Sequence, residues 1–279
     1  MERLHRKRYG IVFALIVFMF GYAFFSCLFG SKSNSDAAFA SGNSAYAVVR
    51  TDTFEVLLSD NGKARLPMAS TTKIMTALIV IENCKPDEIV VIDKRSVGVE
   101  GSSVYLREGE KLTVKDLLYC LMLRSGNDAA TALALHVAGS TENFAEMMNI
   151  RAESLNLTDT HFVNPHGLHD DSHFTSAHDL AIIAATAMNN PSFAEIVKTK
   201  VKTVGEGESK RTIANKNKML SLYPDANGVK TGYTKKSGRC LVSSATKNGV
   251  TLVCAVLNYG DTYGLSSSLL DKGFAMICG

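Results

Sequence analysis

Segments that alternate as strands do stand at both ends of this chain, and segments with helical spacing fill what lies between them. Near the start, Ala45 to Arg50 and Phe54 to Ser59 read as two strands joined through Thr51 to Thr53, followed by the loop Asp60-Asn61-Gly62. Toward the end, Val201 to Val204, Arg211 to Ala214, the residues around Lys230, Cys240 to Lys247 and Val250 to Asn258 read as strands. The last two are closed by Asn248-Gly249, the dipeptide of a two-residue hairpin. Strands separated by a long helical stretch can bury their apolar faces only by meeting in one sheet. The expected fold is therefore mixed α/β (α+β), an antiparallel sheet built from both chain ends and flanked by helices. A mainly helical lobe, about residues 84–197, is inserted, and a site is expected in the seam between the two parts.

The helical stretches carry their own boundaries. Ile74, Ala77, Leu78 and Ile81 make the buried stripe of a helix with Ser70 at or near its N-terminus, stopped by Lys85-Pro86. Thr113 to Asp116 has capping-box spacing ahead of Leu117 to Leu123, and Asp128 to Val137 ends at Gly139. Glu142 to Leu155 repeats apolar residues at helical intervals, Ser176 to Asp179 caps Leu180 to Met188, and a last helix runs near Thr262 to Ile277.

With 279 residues and 46% hydrophobic content the chain can bury a full core, as one large domain or two closely packed lobes. Its formal net charge of +3 comes from the first forty residues, where Arg3, Arg6, Lys7, Arg8 and Lys32 outnumber Glu2 and Asp36. The remainder is neutral, so no nucleic-acid partner is expected. Behind that basic cluster the apolar run Ile11 to Phe29 reads as an export signal or a membrane span with its N-terminus in the cytoplasm. Ala38-Phe39-Ala40 favours cleavage before Ser41, while Phe24-Phe25-Ser26-Cys27 departs from a lipid-attachment box. Residues 1–40 are thus expected to be a signal peptide or N-terminal anchor with a spacer, and residues 41–279 a domain outside the cytoplasm, secreted or attached to the membrane's outer face. Cys84, Cys120, Cys240, Cys254 and Cys278 have no Cys-x-x-Cys spacing, so buried thiols are expected in place of a disulfide framework or thiolate metal site. The Asn248-Gly249 hairpin would set Cys240 across from Leu257 and Cys254 across from Ser243, on opposite faces of the ribbon and unable to pair.

Three short strings carry chemistry: Ser70-Thr71-Thr72-Lys73, Ser125-Gly126-Asn127 and Lys230-Thr231-Gly232. On a helix, residues three apart share a face, so Ser70 and Lys73 stand within hydrogen-bond reach and form a nucleophile with its general base. A free lysine titrates near ~10.4, and bringing it to about 7 costs on the order of 4 to 5 kcal/mol. Desolvation, the positive end of a helix and a second cation, Lys230, are the candidate sources of that shift. Ser125 is placed to relay a proton to a leaving amine, and Asn127 to hydrogen-bond a substrate amide. Lys230 and Thr231 fit an edge strand where cation and hydroxyl bind a carboxylate, and Gly232 permits close backbone approach. The N–H groups of Ser70 and Tyr233 are the candidate oxyanion hole. Each string alone has an ordinary reading as a cap, a loop or a solvated charge; together they describe acyl transfer. The dense set His166, His169, Asp170, Asp171, His173, His178 and Asp179 is the rival, a zinc hydrolase, but no His-Glu-x-x-His spacing places two imidazoles on one helix face. No metal and no cofactor are expected.

With their flanks, the strings Pro67 to Ala77, Leu123 to Ala130, Asn164-Pro165-His166-Gly167-Leu168 and Gly228 to Thr234 resemble the penicillin-binding serine D-Ala-D-Ala carboxypeptidases, low-molecular-mass penicillin-binding proteins of the serine β-lactamase-like fold. The likeness covers about residues 46–277. It implies that Ser70 attacks the carbonyl between the last two D-alanines of a peptidoglycan stem peptide, with Lys73 as base and Ser125 protonating the departing D-alanine. Lys230 and Thr231 would hold the terminal carboxylate, and β-lactams would acylate the same serine. Many relatives add a β-rich second domain and a C-terminal amphipathic anchor, whereas this chain stops at Gly279, so membrane attachment is expected only through the N-terminal segment. Two other functions share the scaffold: a β-lactamase, for which Glu153-Ser154-Leu155-Asn156 is one residue short of the Glu-x-x-Leu-Asn pattern, and a non-catalytic β-lactam or cell-wall sensor.

Overall fold

The computed structural model describes residues 43–278; the expected signal or anchor over residues 1–40, with Cys27, lies outside them. Strands β1 (Ala45–Arg50) and β2 (Val56–Asp60) pair antiparallel at the start of the described chain. Phe54, expected to open the second strand, instead takes φ 59 in the turn. At the other end lie β7 (Ala226–Thr234), β8 (Gly238–Lys247) and β9 (Val250–Leu257). The five form one sheet in the order β2-β1-β9-β8-β7, so the two chain ends meet where β1 pairs with β9. Asn248 (φ 51) and Gly249 (φ 79) both take the left-handed backbone that a type I′ turn requires between Lys247 and its partner Val250.

The period-2 alternation decides which side chains meet which layer. Val48, Leu241, Leu252, Cys254 and Val256 face the C-terminal helix Thr262–Cys278, whose Leu265, Leu269, Leu270 and Phe274 pack on them. Ala47, Val49, Val242, Val253 and Ala255 face the other way, into the larger core of the helical lobe. Ser243 pairs with Cys254, and Cys240 belongs to the opposite core from Cys254, as the hairpin register requires. Both are free thiols.

The lobe is organised around α1 (Lys73–Asn83), whose residues from Lys73 to Val80 are all buried. A helix apolar on every side has to sit in the middle of others, and here α3 (Asn127–Ala138), α4 (Thr141–Ser154) and α5 (Ala177–Met188) surround it. The capping signals behave as read. Thr113 accepts from Asp116 N ahead of α2 (Val114–Tyr119), Ser176 accepts from Asp179 N, and Gly139 closes α3 with φ 75; Ser140, a cap the sequence reading passes over, accepts from Asn143 N. The segment Leu117 to Leu123 is not one α-helix, because the chain widens after Tyr119 into a π turn over Cys120–Arg124. Strands β5 (Val201–Val204) and β6 (Arg211–Ala214) pair only with each other among the described residues, as a ribbon apart from the main sheet. A second small ribbon, β3 (Ile89–Val91) with β4 (Lys111–Thr113), and α6 (Pro191–Lys198), capped by Asn190, complete the lobe. Among the described residues no single helix is long and apolar enough to cross a membrane.

Candidate active site

A 3-10 turn, Ala69–Thr72, runs directly into α1, so Ser70 stands at the helix's N-terminal end and Lys73 is its first residue. The turn places Ala69 at φ 47, an unusual conformation for a residue with a Cβ. Side-chain hydrogen bonds hold it there. Thr72 Oγ1 donates to the Ala69 carbonyl (2.7 Å) and lies 2.7 Å from His173 Nε2. Burial pushes the His173 imidazole down to about 4, so the ring is neutral, and its Nδ1 accepts from Val163 N at 3.0 Å. The proton therefore resides on Nε2, which donates to Thr72. On the other side Gly167, at φ 87, lies so close that an added Cβ would sit 1.9 Å from the Ala69 oxygen. Gly167→Ala is accordingly expected to destabilise the protein by about 1–3 kcal/mol or more and to slow reaction at Ser70. A thermal melt and an acylation assay read the two effects.

Lys73 is fully buried, and its Nζ has three neighbours: Ser70 Oγ at 3.2 Å, Asn127 Oδ1 at 2.7 Å and the His166 carbonyl at 2.5 Å. Burial holds its pKa far below the ordinary lysine value, and the charges of Lys230 and then Lys216 push it further down; Asp128 opposes them. A neutral amine has two hydrogens and one lone pair. The two carbonyl-type oxygens can only accept, so they take both hydrogens and leave the lone pair directed at the Ser70 hydroxyl. That is the arrangement a general base for Ser70 needs.

Asn127 opens α3, immediately after Ser125 (φ 67) has turned the chain out of the π segment. Its Oδ1 is occupied by Lys73, and its Nδ2 donates to the Glu100 carbonyl at 2.5 Å. The side chain thus orients the lysine, with one N–H of the amide left over for a substrate. Ser125 is nearly buried at the same corner. The next residue, Asp128, binds the facing loop: it accepts from Ser103 Oγ (2.5 Å), Val104 N (3.0 Å) and Leu106 N (3.2 Å). This keeps Ser102, whose carbonyl accepts from Asn127 N at 2.6 Å, on the wall of the site.

The third string lies on β7, the edge strand, which packs against the Ser70 turn. Lys230 pairs with Val242 and Gly232 with Cys240, both inner-face residues, so these two positions look toward the lobe. A Cβ on Gly232 would meet the Met68 carbonyl at 3.1 Å and Ser70 N at 3.2 Å, which is the close approach that favours glycine. It also brings Tyr233 beside Ser70, although the Tyr233 ring itself points outward, 67% exposed. Lys230 is buried, with its Nζ donating to the Thr231 carbonyl at 3.0 Å. Burial lowers its pKa to about 7, helped by Lys216. Thr231 is half-buried next to it. Lys216, a cation the motif reading passes over, donates to Ser102 Oγ at 3.0 Å and acts on both buried lysines.

Ser70, Ser102, Asn127, His166, Leu168 and Tyr233 line a cleft of about 300 Å3, and none of the described residues on its wall is a carboxylate. Glu153 is exposed on α4 and is not among the cleft's residues. The histidine-rich loop contributes its backbone and its packing: the His166 carbonyl holds Lys73, His173 braces the Ser70 turn, and His161 lies 2.6 Å from the Ser172 carbonyl. Burial pushes the His166 imidazole down to about 3.

The family model of D-alanyl-D-alanine carboxypeptidases matches residues 32–261. A D-alanyl-D-alanine carboxypeptidase of Streptomyces sp. (strain K15) is 39% identical over 233 residues, 76% of this chain and 80% of that protein. DacB2 of Mycobacterium tuberculosis is 34% identical over 83% of this chain and 82% of its own length. DacF of Bacillus subtilis is 36% identical over 75% of this chain, which spans only 55% of that longer protein. Among solved structures, the Streptomyces K15 DD-transpeptidase S96A mutant superposes with a TM-score of 0.79 at 33% identity, covering 83% of this chain and 97% of that one. A D-alanyl-D-alanine carboxypeptidase from M. tuberculosis H37Rv gives 0.79 at 33%, over 83% and 90%. Matched over most of its length by model, sequence and fold alike, the chain belongs to the D-alanyl-D-alanine carboxypeptidase family of serine peptidases.

Proposed function

We propose that this protein removes the terminal D-alanine from peptidoglycan stem peptides through an acyl-enzyme on Ser70. The observation that carries the reading is the buried Lys73 amine, its pKa held far below the ordinary lysine value, 3.2 Å from Ser70 Oγ and flanked by two acceptors, Asn127 Oδ1 and the His166 carbonyl. As Ser70 Oγ attacks the carbonyl between the two D-alanines, its proton passes to Lys73 Nζ. The oxyanion is held by the N–H groups of Ser70 and Tyr233, the former at a helix end where N–H groups lack intrahelical acceptors. The proton then moves by way of Ser125 to the departing amine, the C–N bond breaks, and D-alanine leaves. Water attacks the ester, giving up one proton to the same base and freeing the shortened peptide and Ser70. Lys230 and Thr231 receive the terminal carboxylate.

A β-lactam presents a carboxylate and a strained amide in the same relation, so it acylates Ser70; its ring amine stays tethered beside the ester after the C–N bond breaks, so water reaches the ester slowly. Glu153, the carboxylate on which the β-lactamase reading rests, is exposed and is not among the cleft's residues, which favours the peptidase. The domain works outside the cytoplasm, delivered or tethered by the basic and apolar segment within residues 1–40.

Benzylpenicillin is expected to add one covalent mass that maps to the Ser70 peptide and persists over many minutes, while a pentapeptide mimic ending in D-Ala-D-Ala loses one D-alanine. Ser70→Ala should do neither. Steady penicillin turnover would favour a β-lactamase, an adduct without D-alanine release a sensor, and D-alanine release by Ser70→Ala would overturn the mechanism.

A further inference from the structure

We propose that Cys84, Glu88 and His136 form a binding site for a first-row divalent cation, Zn2+ above all, at the end of α1 remote from Ser70. The Cys84 thiol, a Glu88 carboxylate oxygen and a His136 ring nitrogen all lie within 4.8 Å of one another. Glu88 Oε2 and His136 Nε2 are 3.4 Å apart. In a tetrahedral zinc site, bonds of roughly 2.0–2.3 Å put donors about 3.3–3.8 Å apart, so a cation closes the trio with movements on the order of an ångström. Thiolate, imidazole and carboxylate together select zinc or a similar metal over magnesium and calcium, which take oxygen ligands.

The surroundings support the donors. Cys84 follows the last turn of α1, with its N–H on the Val80 carbonyl, and is a free, half-buried thiol. The Glu88 carboxylate is oriented by its other oxygen, Oε1, which accepts from Lys85 N at 2.8 Å, leaving Oε2 for the metal. Its loop is tied down by Val114 N on the Glu88 carbonyl and Lys115 N on the Pro86 carbonyl, both 2.9 Å. His136 comes from the last turn of α3. The site therefore joins the ends of the two helices that also carry Lys73 and Asn127 at their beginnings.

Cys84 also walls a 290 Å3 pocket lined by both apolar residues such as Leu118 and Tyr119 and charged ones such as Lys115 and Glu195, so the half-buried thiol is reachable by an ion. Binding replaces the thiol proton with the metal and releases one H+. With α1 eleven residues long, the site lies about 16 Å along the helix from Lys73. It braces the lobe and takes no part in acyl transfer.

Co2+ titrated into the reduced full-length protein is the test. The expected result is a thiolate-to-cobalt charge-transfer band with tetrahedral visible absorption, saturating at one equivalent and bleached by Zn2+. Cys84→Ser should lose the charge-transfer band while reacting with benzylpenicillin at the parent rate. His136→Gln and Glu88→Gln should each weaken Co2+ binding at least tenfold. These two surface substitutions decide the matter if Cys84→Ser fails to fold. A cobalt spectrum without thiolate character, the same band in Cys84→Ser, or unchanged affinity in both other variants would overturn the proposal.

Discussion

Lys73→Met is expected to slow acylation of Ser70 by benzylpenicillin ~10²–10⁴-fold while leaving reversible binding of the drug before the covalent step nearly unchanged. The side chain is fully buried and of similar length to methionine, so the variant keeps the apolar packing of α1 while losing the amine opposite Ser70 and its hydrogen bonds to Asn127 Oδ1 and the His166 carbonyl. Stopped-flow acylation across a range of drug concentrations separates the two quantities. The loss should fall on the limiting rate and not on the half-saturating concentration, because Lys73 is absent from the contacts assigned to the ligand's carboxylate. The stability of this variant is expected to change little, because relief of an amine whose pKa is held down by burial and by two other cations is offset by leaving Asn127 Oδ1 and the His166 carbonyl without their donor.

Lys230→Met should give the opposite split, a loss of affinity for carboxylate-bearing ligands together with a gain in stability of ~1–4 kcal/mol near neutral pH. The Lys230 ammonium is buried, and the hydrogen bond found for it goes to a neutral carbonyl, so the free protein carries an uncompensated charge at the place where the proposed mechanism seats a substrate carboxylate. The sign with pH follows from its pKa of about 7, below that of a lysine in the unfolded chain. Between that value and the unfolded pKa of ~10.4 the unfolded state binds more protons, so the parent protein gains stability as pH rises through this window. Below the window the penalty is complete, and above it the penalty is gone. The stability difference between parent and variant, measured by urea unfolding, should be largest at pH 7 and below and shrink toward pH 10. Carboxylate ligands should bind the parent more weakly as pH climbs past 7, because the neutral amine no longer attracts them.

Much of this molecule was legible where the governing interactions are local. A capping hydroxyl followed by an acid three residues later, an Asn-Gly turn between alternating strands, and a serine and lysine on one helical face all act within a few residues, and each is found in place. Partners set by distant chain were not legible. The alternation over Val201–Val204 and Arg211–Ala214 marks strands truly but does not say that they pair apart from the main sheet. The three-residue strands Ile89–Val91 and Lys111–Thr113 are too short to show a period.

The site shows the same division. Ser70, Lys73, Asn127 and Lys230 announce themselves by spacing, but their division of labour depends on tertiary contacts. Asn127 reads as a substrate amide's partner, and its second contact, through Oδ1 to Lys73, emerges only in the fold. Lys216, between Asn215 and Asn217, has no motif to mark it as a third cation. The Thr72 and His173 pair spans 101 positions, and its function, fixing the backbone before the nucleophile, is invisible without the fold.

The state of the Lys73 amine is the point on which the mechanism turns, and it can be observed directly. The protein labelled with 13Cε-lysine, with the Lys73 resonance assigned by its disappearance in Lys73→Met, is titrated by NMR in the absence of ligand. A midpoint well below the ordinary lysine range, moving upward in Lys230→Met as a neighbouring positive charge is removed, is the predicted result. A Lys73 signal that titrates near ~10.4 and ignores the Lys230 substitution would contradict the account, since the amine beside Ser70 would then be an ammonium with no lone pair to offer.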